Sequence, residues 1–267
     1  MLSSYYLKYM KLSFDLKEIK KMYSISFTVA NADIKIKNEG SYLGILWYLL
    51  NPILMFLVLW FVFYQKLGNE ISLYPAYLLI GIILFNLFQM TTNESATVFL
   101  NNRNLVKSVK FPYISLVVAS VVKTLFTHLF EFAILLVVLI LMGINLWGIV
   151  FYPLILIFYL LFIYGVSLIL SVITVYIIDF GNLWRFLIFL LWLATPIFYS
   201  SSQSDLSQII NKFNPLYYFI SMMRSTVLYG KMPPFIVVLI ALSFSLGSFL
   251  LGSILFRKLR YNLIEKI

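Results

Sequence analysis

Six long apolar runs separated by polar breaks constrain this chain more than any other feature. They lie near residues 43–64, 74–95, 113–142, 148–177, 183–200 and 235–256. A bilayer hydrocarbon core about 30 Å thick takes about 20 helical residues to cross. Within lipid, only a helix or a closed barrel pairs all of its backbone amides. The runs therefore predict an all-α integral membrane protein with six transmembrane helices. The third and fourth are longer than a crossing needs, which predicts that each tilts or projects from the bilayer. Composition agrees: 62% of residues are hydrophobic and 11% charged, whereas soluble chains carry about 25% charged residues. With a mean hydropathy of +0.96, the chain has more apolar surface than a soluble domain of its length could bury.

Lys and Arg set the orientation. With the N-terminus in the cytosol, the inner side holds seven in residues 1–42, three in 96–112, Arg185 and four in the tail, fifteen in all. The outer side holds four, Lys66, Lys212, Arg224 and Lys231, and Lys123 falls inside a span. Positive charge stays on the cytosolic side, so the topology reads N-in and C-in. Residues 1–30 lack the continuous apolar core of a signal peptide and run polar through "LKEIKK". The organisation is then a cytosolic segment 1–41, a six-helix domain 42–256 and a basic cytosolic tail 257–267.

Several chemistries are excluded. The chain has no cysteine and a single histidine, His128, so thiolate metal sites, disulfides and a zinc HExxH motif are absent. The net charge of +10 follows from membrane topology, and a nucleic-acid partner is not implied. The phosphate-cradling P-loop needs Gly-x-x-x-x-Gly-Lys-Ser/Thr. Gly230-Lys231 is the one Gly-Lys pair, but Met232 follows it and Ser225 stands where the first glycine belongs. No nucleophile–base–acid set is apparent, so the chain reads as a non-enzyme.

Three polar segments invite a role. Residues 8–23 place Leu12, Leu16, Ile19 and Tyr23 on one helical face with Lys17 and Lys21 turned away, which predicts an amphipathic helix along the cytosolic surface. A plain solubilising tail is the alternative. The stretch "ATVFLNNRNLVKSVKFP" at 96–112 is a short basic helix fit to dock a partner, or merely a positive-inside loop. Residues 201–234 mix polar residues with the apolar run "LYYFISMM", which suggests short helices re-entering the outer leaflet, or else a surface loop with interfacial aromatics.

Charges inside spans point to function by default. Lys123, His128 and Glu131 share the third run, and His128 and Glu131 stand one turn apart. A proton relay would use such a pair. Structural glue is the favoured reading, because no partner acid or base is evident in the other spans and no broken-helix repeat appears. Aromatic residues Phe56, Trp60 and Phe63 recur on one face of the first run; Phe189, Trp192, Pro196 and Tyr199 form one stripe of the fifth. Aromatic faces suit a sliding glycan, and they equally suit lipid or core packing.

The order of these features resembles one family, the membrane subunit of ABC exporters that move O-antigen, capsule or teichoic acid polysaccharides. Its "S-x-LG-x-LW-x-x-L-x-P" element is met by Ser41, Leu43, Gly44, Leu46, Trp47, Leu50 and Pro52, preceded by Asp33, Lys35 and Lys37. Ala32, Asn38 and Glu39 depart from the basic pattern before it. "N-x-x-L-x-K-x-x-FP" is carried by Asn102 or Asn104, Leu105, Lys107, Phe111 and Pro112. "DFGNLW" and "TPIFYS" supply Asp179 and Pro196, and Asn214, Pro215, Arg224 and Gly230 match the element before the last span.

The resemblance implies a half-transporter: two copies of this chain form the pore, and two copies of a separate subunit bind ATP and Mg, leaving no cofactor in this chain. It implies a lipid-linked polysaccharide substrate carried on undecaprenyl pyrophosphate, as in lipopolysaccharide biosynthesis, and the cytoplasmic (inner) membrane of a bacterium. Phe56, Trp60, Phe63, Phe189, Trp192 and Tyr199 would line the channel. Gly40, Ser41, Gly44, Trp47 and Pro52 would form the cytosolic entrance. A coupling helix at about 100–111 would present Asn104, Leu105, Lys107 and Lys110 to the ATPase, and Asn214, Pro215 and Arg224 would belong to an external gate at about 201–234. The rivals are an ABC permease for drugs or small lipids, a proton-coupled carrier using His128 and Glu131, and a membrane-embedded glycosyl or lipid enzyme.

Gly40 and Gly44 stand four apart, the small-xxx-small spacing of touching membrane helices. They precede the apolar run, so they read better as a flexible turn into the first span, with Trp47 at the headgroups and Pro52 loosening the helix inside.

Overall fold

The structure is a computed structural model that describes residues 16–39, 42–67, 71–109, 111–200, 205–260 and 263–266. Every regular element among them is helical. The first 15 residues, and with them Leu12 and the start of the expected amphipathic helix, lie outside the described residues. Gly40, Ser41 and Lys110 lie outside them as well.

Helix α1 spans Leu16–Asn38. After a 3-10 turn at Gly44–Leu46 come α2 (Trp47–Leu67), α3 (Tyr74–Asn101), the short α4 (Arg103–Ser108) and α5 (Ile114–Leu141). A second 3-10 turn at Leu146–Phe151 leads into α6 (Tyr152–Tyr176), followed by α7 (Phe180–Ala194), α8 (Asp205–Phe213), α9 (Pro215–Met223), a π turn at Arg224–Leu228, α10 (Phe235–Leu259) and α11 (Leu263–Lys266). Prolines mark the starts: Pro75, Pro153 and Pro215 occupy the first helical positions, where an absent N–H costs nothing. Arg257 and Lys258 in the last turn of α10 complement the helix dipole.

Five of these segments, in α2, α3, α5, α6 with its preceding turn, and α10, are long and apolar enough to cross a membrane. Helix α3 is the axis of the bundle: 78% of its most apolar 18 residues are buried, against 11% for α2. It packs on α5 and α6, while α6 makes its most extensive contact with α10. One core joins Phe85, Leu135, Tyr159, Phe219 and Ile197. A second, at the other end, joins Phe99, Val106, Leu116, Val172, Phe256 and Leu263. The ends of α3, α6 and α10, the start of α5 and the short α4 therefore meet at one side, where the basic segments 103–107 and 257–260 also fall.

The seam between α6 and α10 is built from small residues. A Cβ on Gly165 would overlap the Ser248 carbonyl carbon, and one on Gly252 would overlap the Gly165 carbonyl oxygen. Ser245 and Ser248 each donate to a carbonyl across the seam, Phe158 at 2.8 Å and Phe162 at 3.2 Å. This is the close backbone approach that small residues permit in membranes. Its glycines are Gly165 and Gly252.

Two expectations change. The N-terminal helix continues past residue 23 to Asn38, since no Gly or Pro interrupts 24–38. Its packed face carries Ser26 and Ala30, while Tyr23 is exposed. The fifth apolar run, expected as a span over 183–200, is helical only over the 15 residues Phe180–Ala194. Pro196 ends it: the residue before a proline is driven to extended backbone, and Thr195 has φ −91° and ψ 132°.

Candidate functional site

Where α7 stops, the chain runs irregularly through 195–199, and carbonyls freed at that depth need donors. Each of four successive carbonyls receives one. Arg224 donates through Nη1 to Pro196 at 2.7 Å and through Nη2 to Ile197 at 2.8 Å. The Tyr74 hydroxyl donates to Phe198 at 3.0 Å and the Tyr77 hydroxyl to Tyr199 at 2.9 Å. Arg224 also donates to the Tyr77 carbonyl through Nε at 3.1 Å and Nη2 at 3.0 Å. Its guanidinium sits over the Tyr77 ring, 3.3 Å from the centroid, a cation–π contact in a buried site. A planar fork of donors serves this arrangement in a way a single ammonium cannot.

The neighbours of the clamp are equally determined. Asn214 caps α9 by accepting from Leu216 N at 3.0 Å and donates to Thr195 Oγ1 at 2.8 Å. Pro215 starts α9 behind it. Arg224 opens the π turn, in which Tyr229 N donates to the Arg224 carbonyl at 3.1 Å; such turns recur at functional sites. A Cβ on Gly81 would stand 2.8 Å from Arg224 Nη2, so only glycine leaves room for the guanidinium there. Asn214, Pro215 and Arg224 thus come together around the end of α7.

The aromatic stripes are only partly brought together. On α2, Phe56 stacks on Trp60 at 6.4 Å and Trp60 meets Tyr64 at 5.3 Å, a ladder one turn per step. Phe63 stacks on Phe198 at 4.7 Å and joins α2 to the clamped segment. On α7, Phe189 is exposed with Phe186, Leu190 and Leu193, whereas Trp192 turns its ring edge to Phe85 of α3 at 4.9 Å. The expected single stripe through Pro196 and Tyr199 is not formed, because the helix has already ended. Tyr199 instead donates its hydroxyl to the Leu193 carbonyl at 3.3 Å.

At the basic side, α1 lies on α5, and Ser26 Oγ donates to the Ser115 carbonyl at 2.9 Å. Lys123 of α5 bridges Glu94 of α3 at 2.9 Å and Asp33 of α1 at 3.2 Å. This corrects the expectation that the charges of the third run lack a partner in other spans: Glu94 closes the second run. On α4, Asn104 and Lys107 are exposed, Leu105 is half-buried, and Val106 anchors the helix in the core. Gly44 opens the turn before α2 with φ +42°, a left-handed backbone that favours glycine. Trp47 is 43% exposed and Pro52 is buried inside α2.

His128 and Glu131 form a closed cluster. His128 Nδ1 meets Glu131 Oε2 at 3.2 Å, and its Nε2 meets the Tyr152 hydroxyl at 2.7 Å. Asn86 Nδ2 donates to Glu131 Oε1 at 3.2 Å. Four side chains from α3, α5 and α6 thus satisfy one another in the bundle, as buried polar groups must.

Sequence reasoning passed over Tyr74, Tyr77, Gly81, Glu94 and Tyr152. "YPAY" at 74–77 offered a signal, two phenols at a helix start, but nothing local names the carbonyls they meet 122 and 124 residues on.

The family model described as ABC-2 type transporter matches residues 27–228. Two proteins from Klebsiella pneumoniae named O-antigen export system permease protein RfbA are similar to the chain, at 26% and 27% identity over 252 and 253 residues, each covering 91% of this chain and 95% of the relative. A protein of the same name from Myxococcus xanthus is 26% identical over 191 residues, 70% of this chain and 72% of its own length. The family match begins within α1 and ends with the π turn, so it takes in the Arg224 clamp, the Lys123 bridge and four of the five long apolar segments. With well over half of its length matched and an all-helical apolar bundle, this multi-pass membrane protein belongs to the ABC-2 type transporter family.

Proposed function

We propose that this chain is the permease subunit of an ABC exporter that carries lipid-linked polysaccharide of the O-antigen, capsule or teichoic acid type across the bacterial cytoplasmic membrane, driven by a separate ATPase. The observation that carries this reading is the similarity, over 91% of the chain, to permeases named for O-antigen export. Two copies form the pore, and two ATPase subunits dock at the basic side. There α4 offers exposed Asn104 and Lys107 above a buried Val106 anchor, a surface suited to a groove on a partner.

Six crossings with both termini in the cytosol account best for the charge asymmetry. Helix α7 rises about 22 Å, short of the hydrocarbon thickness, and the clamped 195–199 segment completes the crossing. Helices α8 and α9 then re-enter from the outer side, and Asn214, Pro215 and Arg224 hold the external gate. The aromatic ladder of α2, exposed at Trp60 and Tyr64 and half-buried at Phe56, and the exposed face of α7 supply a path along which sugar rings slide.

The test is co-purification with the ATPase encoded beside it and reconstitution in lipid. Export predicts ATP hydrolysis stimulated by the lipid-linked polysaccharide; hydrolysis indifferent to it, or stimulated by drug-like cations instead, refutes the reading. Lys107→Glu together with Lys110→Glu should weaken assembly with the ATPase, and unchanged co-purification removes the docking role from α4.

A further inference from the structure

Three sides of α3 are taken by its neighbours. Phe85 and Phe88 meet Trp192 and Trp184 of α7 at 4.9 and 6.2 Å. Thr91 and Glu94 meet Thr124 and Lys123 of α5 at 2.7 and 2.9 Å. The α6 side lies between them, where the Tyr159 hydroxyl donates to the Leu84 carbonyl at 2.8 Å. With 3.6 residues per turn, the face left over carries Asn86, Gln89, Asn93 and Thr97, at i, i+3, i+7 and i+11. All four are half-buried, and α2, which packs on both α3 and α5, borders them on the side away from α7. Asn101 Nδ2 donates to Thr97 Oγ1 at 3.1 Å, so the polar stripe reaches the end of α3, about 22 Å from Asn86. Glu94, the one charged residue of α3, is turned away to Lys123.

Amides within an apolar segment need partners. Asn86 has one in Glu131 at 3.2 Å, but Asn93 Oδ1 is buried without any among the described residues. So is the indole N–H of Trp184 on the adjoining α7. A buried acceptor left unpaired costs about 1–3 kcal/mol, which a passing hydroxyl would recover.

We propose that Gln89, Asn93 and Thr97 form a rail that hydrogen-bonds the sugar hydroxyls of the polymer as it passes between α2 and α7, an inference that rests on the export reading above. An amide offers donor and acceptor without charge and so matches a hydroxyl, which is both. The aromatic faces of α2 and α7 take the C–H faces of the rings, and α3 takes their hydroxyl edges. Neutral bonds repeated about 6 Å apart hold a chain weakly at several points, the condition for movement through a pore. The uncharged stripe suits the glycan and not the phosphate end of its lipid carrier. A seam with a second copy is the other use of polar residues in a membrane, but close helix contact favours small side chains, and the first three positions here are amides.

The absence of cysteine makes this face readable one residue at a time. Gln89→Cys, Asn93→Cys, Thr97→Cys and, on the opposite buried face, Ser95→Cys are each purified with the ATPase and placed in nanodiscs without ATP. A water-soluble maleimide should label the first three and spare Ser95→Cys. Lipid-linked polysaccharide isolated from the host strain should slow that labelling several-fold, and undecaprenyl phosphate without sugars should not. Gln89→Leu/Asn93→Leu, which keeps the bulk and removes the amides, should raise the polymer concentration for half-maximal stimulation of hydrolysis about tenfold. An unlabelled stripe overturns the rail in favour of a seam between copies. Equal protection by the sugar-free lipid, or an unchanged double variant, overturns the assignment to sugar. Labelling indifferent to a polymer that still stimulates wild-type hydrolysis overturns the rail and leaves the export reading standing, whereas a polymer that does not stimulate the wild type removes both.

Discussion

The guanidinium of Arg224 lies 3.3 Å from the centre of the Tyr77 ring and donates to the backbone carbonyl of that same tyrosine. One side chain thereby ties the π turn to the first turn of α3 and, through Pro196 and Ile197, to the end of α7. Arg224→Ala should strand the two buried carbonyls of Pro196 and Ile197, each costing about 1–3 kcal/mol when unpaired, and take a second donor from that of Tyr77. A thermal unfolding curve in detergent should show a clear drop in Tm, with Arg224→Lys intermediate. An alanine variant as stable as wild type would show that the clamp is not structural.

The glycines of the α6–α10 seam should differ sharply from their neighbour. Gly165→Ala and Gly252→Ala each push a methyl into backbone and should cost about 1–3 kcal/mol or more. Gly247→Ala meets nothing within 4 Å and should gain about 0.5–1 kcal/mol from helix propensity. Yield of folded, monodisperse protein on size exclusion ranks the three, and a Gly247 variant as damaged as the others contradicts the seam.

Lys123 latches α1 to the bundle through two carboxylates of unequal standing. The Glu94 contact is shorter, and its side chain is 26% exposed against 40% for Asp33. Asp33→Asn should therefore cost well under 1 kcal/mol, as solvent-screened pairs do, and Glu94→Gln more. Because the chain has no cysteine, a cysteine pair at 26 and 115 with a short cross-linker reads α1 docking directly. Lys123→Met should lower its yield several-fold, and an undiminished yield removes the latch.

Glu131→Gln should leave export within about twofold of wild type, since an amide still accepts from Asn86 and meets His128. Abolished transport in a variant that still assembles with its ATPase would restore the proton relay.

Gly44 holds φ +42° at the turn between α1 and α2. Gly44→Val forces a β-branched residue into left-handed backbone at a cost of about 1–2 kcal/mol. Export should fall more than assembly does. Equal loss of both returns these glycines to a helix-contact role.

Legibility in the sequence followed locality. The existence of α2, α3, α5, α6 and α10 was plain in their apolar runs, and the Pro and Gly positions marked where segments start, because crossing lipid depends on length and composition along the chain. The short basic helix α4 was likewise legible from spacing alone. The length of α7 was harder: Pro196 was visible, but the continuing apolar run through Ile197 and Phe198 suggested a helix that the backbone cannot extend.

What the sequence determined by itself is therefore a helical membrane bundle and its family motifs, since bilayer thickness and backbone pairing act on any chain without regard to its partners. Only the tertiary structure decided which groups meet: Tyr74, Tyr77 and Arg224 on the carbonyls of 196–199, Lys123 on Glu94 and Asp33, and Gly165 against Gly252. Those contacts join residues far apart in the chain. Buried donors and small side chains take their meaning from the neighbour that folding delivers, and no periodicity records that neighbour.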